Sequence, residues 1–264
     1  MGAAKLALRR RPRKLFKLKR EDVLTETSDI PGISGYAESF LRRFRNLSFA
    51  LLLTPLAVAC CGSIGLAAAP ALYWFNLVSE FSATWSAPLH YMALGFGLST
   101  AYLIYGISLI FIIPVVNYLN PFKVKPFRGP WYSLAAVPWY MHNGLTYMAR
   151  YTFLDFVTPS PLNILFYRMM GMKIGKGVVI NTSNISDPCL ITLGDYVTVG
   201  GSATLFAHYG QKGYLIVAPV RIGEGTNIGL KASIMGGVIV GRNVTIKPHA
   251  VLLPKTEIGD SEVV

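Results

Sequence analysis

The chain has 264 residues, of which 52% are hydrophobic and only 14% charged, a balance too apolar for an ordinary water-soluble domain. Its net charge of +12 is unevenly placed, with nine basic and no acidic residues from Lys5 to Arg20. A basic head beside apolar segments points to anionic lipid, and no nucleic-acid recognition motif accompanies it.

Residues 1–45 form this basic, polar head, which lacks the apolar core and small-residue cleavage site of a secretory signal. Its Arg-rich, acid-poor opening also fits an organellar transit peptide, which would place the chain in an organellar inner membrane.

Residues 46–129 hold two uncharged apolar segments, Leu47–Phe75 and Leu89–Val116. A helix needs about 20 apolar residues to cross the hydrocarbon core, so each is long enough to span, and the pair reads as a transmembrane helical hairpin. Two buried core helices are the competing reading. Arg42, Arg43 and Arg45 precede the first segment, Lys123, Lys125 and Arg128 follow the second, and the connection holds only Glu80. The positive-inside rule then predicts a multi-pass membrane protein with both ends in the cytoplasm.

Residues 130–170 open with a stretch rich in Trp and Tyr that Pro138, His142, Arg150 and Asp155 interrupt. The mixture predicts a segment lying in the membrane interface, and a third span, which would place the C-terminal domain outside, is the alternative.

From 171 to 264 the pattern changes. Ile222, Ile228, Ile234, Val240, Ile246, Leu252, Ile258 and Val264 recur every six residues, and Gly223, Gly229, Gly241 and Gly259 follow four of them. Leu193, Val199 and Leu205 repeat the spacing, as do Ile174 and Ile180. A period of six is neither helical nor that of a simple strand. It suits a coil with three short sides, one aliphatic residue per side pointing inward, whose stacked turns bury a continuous column. Two breaks stand out. Residues 211–221 are predicted to leave the coil as a loop, and the thirteen-residue step from Ile180 to Leu193 predicts a bulge near Asp187-Pro188.

These repeats, and above all Ala207–Gly241 (AHYGQKGYLIVAPVRIGEGTNIGLKASIMGGVIVG), resemble the hexapeptide-repeat acyltransferases, whose fold is a left-handed parallel β-helix. Apolar spans fused to such a repeat are more distantly similar to the membrane-bound terminal region of some nonribosomal peptide synthetases. The resemblance implies that His208 is a general base, deprotonating a hydroxyl or amine as it attacks a thioester. Imidazole, with an ordinary pKa near neutrality, suits the task. It further implies acyl-CoA or an acyl carrier protein as donor, with Gly229, Ala232 and Gly237 as small positions along the pantetheine arm. Lys231, Arg242 and Lys247 are candidates to meet its phosphates. A loop-stabilising role for His208 and plain solvation for the three cations are the competing readings.

The implied assembly is a homotrimer, and the anchor implies a membrane-associated acceptor. A zinc site of three His is not expected, because only His208 and His249 lie in the repeat and fall on different sides of the coil. Cys60, Cys61 and Cys189 show no CxxC spacing and predict neither a disulfide framework nor a metal centre. Because the sequence stops at Val264 in mid-coil, a fragment or a non-catalytic scaffold subunit docked into a larger membrane assembly also fits.

Overall fold

The computed structural model describes residues 25–264, so the basic run Lys5–Arg20 lies outside the described residues. A short helix α1 (Ile33–Arg43) leads into α2 (Arg45–Ser82), which turns back through residues 83–86 into α3 (Ala87–Leu119). At 1.5 Å per residue, the 38 residues of α2 and the 33 of α3 extend about 57 and 50 Å. Both are long and apolar enough to cross a membrane. They pair antiparallel, and polar side chains within them find local partners. Trp74 Nε1 donates to Thr100 Oγ1 at 2.6 Å, and the Ser63 and Ser82 hydroxyls bond back to their own helix.

The aromatic segment folds against the far half of this hairpin. A strand, Phe127–Pro130, straddles the boundary expected at residue 130 and is followed by α4 (Val137–Ala149), a π-helical turn (Arg150–Leu154) and α5 (Pro161–Met169). Pro138 and Pro161 lie in the first turns of their helices, where a missing N–H costs nothing. Gly106 of α3 lies against the Phe153 ring, and any Cβ there would enter the ring. Leu109, Ile110 and Ile113 of α3, Leu145 of α4 and Phe166 of α5 form one buried cluster with the aliphatic residues of the repeat. The helices and the repeat thus share a core. At the start of the repeat, α5 is bonded to the first coil through Asn163 Nδ2, which donates to the Ile180 carbonyl at 2.9 Å, and Tyr167, whose hydroxyl donates to the Ser183 carbonyl at 3.2 Å.

The repeat is a left-handed parallel β-helix of three sides. The first side holds Lys173–Ile174, Ile191–Leu193, Val220–Ile222, Ile239–Val240 and Glu257–Ile258. The second holds Val179–Ile180, Thr198–Val199, Asn227–Ile228 and Thr245–Ile246, and the third Ile185–Ser186, Thr204–Phe206, Ser233–Ile234 and Val251–Leu252. The hexad residues align in register, Leu193 with Ile222 with Val240 with Ile258 on the first side, and Leu205 with Ile234 with Leu252 on the third. From Leu193 to Ile258 every one of them is buried. A second inward set two residues earlier, including Val197, Ala203, Val238 and Val244, completes the column. Each fully buried aliphatic side chain contributes about 1.5–3 kcal/mol. The corners stack so closely that a Cβ on Gly223 would meet the Gly241 carbonyl of the next coil.

Both predicted irregularities occur, and one needs correction. Asp187 takes the left-handed conformation (φ 57°) and opens a 3₁₀ turn, Pro188–Leu190, which absorbs the extra residue of the thirteen-residue step. The excursion expected at 211–221 instead begins at His208 and ends at Val217, and the first side has resumed by Val220. It is a hairpin of an outgoing strand, His208–Gln211, and a returning strand, Tyr214–Val217. Ala218 N–H donates to the Ala207 carbonyl at 2.8 Å and closes its base. The period of six records only where the inward column is interrupted, so it misses where the backbone departs. The strand Phe127–Pro130 pairs antiparallel with Tyr214–Val217 and makes the excursion a three-stranded sheet.

Candidate functional site

His208 is the first residue of the excursion, at the corner between the third and first sides. Its Nδ1 lies 2.6 Å from Asp187 Oδ2, and the Asp187 side chain is completely shielded from solvent. The left-handed turn at Asp187 puts that carboxylate on the same corner, one coil earlier. Asn143 of α4 holds it from the other side. Its Nδ2 donates to Asp187 Oδ1 at 2.6 Å, and its Oδ1 accepts the Asp187 N–H at 3.2 Å. The imidazole lies between two aromatic rings, Phe206 stacked at 5.4 Å and Trp139 edge-on at 5.0 Å between centroids.

This arrangement selects one tautomer. A carboxylate accepts only, so Nδ1 carries a proton, and in the neutral imidazole Nε2 is the nitrogen with the free lone pair. His208 lines an open cavity of about 410 Å³, with Trp131, Met235 and Pro254 among its walls. A neutral imidazole of fixed orientation, beside a cavity and backed by a buried carboxylate, can take a proton from a bound hydroxyl or amine and pass it on. Cys189 offers no competing nucleophile, because burial raises its thiol to about 12, well above the range where a thiolate forms.

The other residues expected at the site fall on three different corners. Gly237 shares the corner of His208, takes φ 83° and donates its N–H to the Ala218 carbonyl at 3.2 Å. Gly229, Lys231 and Lys247 lie on the corner between the second and third sides, and Arg242 on the corner between the first and second. The three cations are exposed. Ala232 must be corrected. It is fully buried in the aliphatic column, its N–H donates to Gly229 and its carbonyl accepts from Thr204, so it presents nothing to a cofactor arm. Within one chain these positions do not converge on His208. His249 lies on the corner of Lys247, away from His208, and among the described residues no three His, Cys, Asp or Glu are grouped to hold a metal ion.

Asp187 and Asn143 are the residues around His208 that sequence reasoning missed. The signal for Asp187 was present: it marks the irregular corner one coil before His208. Asn143 gave no signal, since its place depends on how α4 packs on the β-helix.

Residues 219–254 match the family model described as bacterial transferase hexapeptide (six repeats). Among curated proteins the chain is similar to a delta-poly-L-ornithine synthetase of Acinetobacter baumannii (strain AB307-0294), at 22% identity over 163 residues. That stretch is 60% of this chain but only 12% of the relative. Among solved structures it is similar to a serine acetyltransferase of Neisseria gonorrhoeae, at 15% identity over 89% of this chain and 80% of that one, with a TM-score of 0.35. A maltose O-acetyltransferase from Clostridium difficile 630 is 18% identical over 52% of this chain and 89% of that one, also with a TM-score of 0.35. Superpositions this loose say nothing about substrate.

Proposed function

We propose that this chain, whose β-helix is that of the hexapeptide-repeat acyltransferase family, moves a short acyl group from a thioester to a hydroxyl or amine of a membrane-associated acceptor. The observation that carries this reading is the His208–Asp187 pair at the edge of an open cavity. His208 Nε2 takes the acceptor proton as the acceptor oxygen or nitrogen attacks the thioester carbonyl. The C–S bond breaks, the new ester or amide forms, and the leaving thiolate receives the proton from His208. The buried Asp187 carboxylate keeps Nδ1 protonated throughout and stabilises the imidazolium that forms between the two transfers.

The donor is acyl-CoA or an acyl carrier protein, as the resemblance of Ala207–Gly241 to the hexapeptide-repeat family implies. Their pantetheine arm would run along the corner that Gly237 shares with His208. The spread of Lys231, Lys247 and Arg242 over the other corners fits a homotrimer, in which one protomer's cations face another's His208. The membrane would supply the acceptor: α2 and α3 are long and apolar enough for a two-span hairpin, and the positive-inside rule, applied to the basic residues at both its ends, favours a β-helix on the cytoplasmic side.

The test is thiol release by the purified full chain in detergent, with acetyl-CoA or an acetylated carrier protein and a membrane extract as acceptor source. His208→Ala is expected to lower the rate about 10²–10⁴-fold while the β-helix stays folded and the oligomeric state unchanged. A wild-type chain that releases no thiol with either donor would leave the second reading, a non-catalytic scaffold in a membrane assembly.

A further inference from the structure

On a different corner of the β-helix from His208, a second cavity of about 430 Å³ opens between the π-helical turn and the first coils. Its wall is polar, with Arg150 and Asp155 from the helical side and Asn181, Asn184 and Ser202 from the corner between the second and third sides. Arg150 is half-buried. Its guanidinium lies over the Tyr151 ring at 5.0 Å and donates to Asn184 Oδ1, and among the described residues no carboxylate pairs with it. Asp155 is engaged elsewhere, accepting the Ser183 hydroxyl at 2.7 Å. A half-buried guanidinium with neutral partners has N–H groups to spare, and an anion with several oxygens satisfies them best. The π-helical turn adds to this, because such turns are frequent at functional sites.

The depth of this cavity along the hairpin identifies where the anion comes from. Tyr102 of α3 donates its hydroxyl to the Thr152 carbonyl of the π-helical turn at 3.1 Å, and its ring packs edge-on against Phe153 and Phe156. Tyr102 lies 15 residues into α3, about 22 Å from the turn that joins the two spans. A hydrocarbon core of about 30 Å measured from that turn therefore ends about 8 Å beyond it. Tyr151 and Phe156, 75% and 65% exposed, flank the same level, as aromatic residues do at a membrane interface.

The geometry points to a binding site for a phosphate group at head-group depth, with Arg150 as its cation, Asn181 and Ser202 as neutral partners, and a phospholipid as the molecule that carries it. This inference rests on the membrane-spanning reading of the hairpin and is independent of acyl transfer.

Thermal unfolding of the detergent-solubilised full chain tests it, with dioleoylphosphatidylglycerol, dioleoylglycerol or inorganic phosphate titrated in. Phosphatidylglycerol is expected to raise the melting temperature saturably, and dioleoylglycerol, which lacks the phosphate, to leave it unchanged. In Arg150→Gln the half-saturating concentration is expected to rise roughly 10- to 100-fold, the worth of a lost charge-assisted contact. Asn181→Asp, an exposed position where folding is not at stake, is expected to weaken binding by putting a negative charge on the wall. His208→Ala is expected to bind as the wild type does, which separates this site from the acyl-transfer reading. Saturation by inorganic phosphate that Arg150→Gln abolishes, without a lipid response, would keep the phosphate site and overturn its lipid source. Equal binding in wild type and both variants, or no response to either phosphate, overturns the site.

Discussion

Asn143 and Asp187 hold each other through two hydrogen bonds across 44 residues of chain, one between side chains and one from the Asp187 backbone N–H to the Asn143 side chain. The pairing joins a helix packed on the apolar hairpin to the corner of the β-helix that orients His208. Because both residues are buried, truncating one strands polar atoms of the other. Asn143→Leu is therefore expected to cost about 1–3 kcal/mol, read as a lowered melting temperature. It is also expected to slow thiol release, because Asp187 Oδ1 loses its anchor.

Asp187→Asn separates charge from shape. The amide is nearly isosteric, but its NH₂ group must face either Asn143 Nδ2 or His208 Nδ1, and both donate in the native arrangement. His208 then loses the acceptor that fixes its tautomer. The rate of thiol release is expected to fall about 10²-fold or more, with the β-helix intact by circular dichroism. A variant as active as the wild type would remove Asp187 from the mechanism.

His142 provides a pH dependence of known sign. It is buried on α4, with Nδ1 2.9 Å from Asn117 Oδ1 and, among the described residues, no partner on Nε2, and burial lowers its pKa from 6.5 to about 4. The folded state thus favours the neutral ring, while the unfolded chain takes up a proton near pH 6.5. The contribution of His142 to stability is complete above about pH 6.5 and is lost progressively as the pH falls towards 4. It is bounded at about 3 kcal/mol. Urea titrations between pH 7 and 4 are expected to show this decline, and His142→Gln to flatten it.

The column predicts a contrast within a single coil. Ile234 is fully buried, whereas Ile239, five residues on, faces outward and is 43% exposed. Ile234→Asp puts an unpaired carboxylate among aliphatic side chains and is expected to abolish the folded β-helix. Ile239→Asp is expected to change stability by less than about 1 kcal/mol. Limited proteolysis of the two variants reads the difference directly.

The β-helix was legible because its rule is strictly local. One aliphatic residue in six, with Gly after it, determines side, corner and register together, and the observed pairs such as Ile228 with Ile246 follow from counting alone. The two apolar helices were legible for a similar reason, since lack of charge over 28 residues needs no partner to interpret. His208 was found through the resemblance of its segment to a family rather than through any periodicity. Asp187 was visible only as a fault in the count, and Asn143 not at all. Their roles come from the packing of α4 on the third corner, a contact between stretches with unrelated patterns. Ala232 was misjudged because a small residue beside a corner can face in or out, and the count was applied to one inward position per side where the structure uses two.

The excursion beginning at His208 also bears on the order in which the molecule is made. Neighbouring coils after it pair at separations of about 18 residues, so the repeat can grow by short steps as it leaves the ribosome. The excursion is different: its returning strand pairs with Phe127–Pro130, about 90 residues earlier. Closing so long a loop is slow compared with stacking a coil. A β-helix can thus be largely complete while the sheet beside His208 is still open. The surroundings of His208 are completed late, after α4 and the strand that precedes it have docked, and a nascent chain not yet folded against its own helices lacks them.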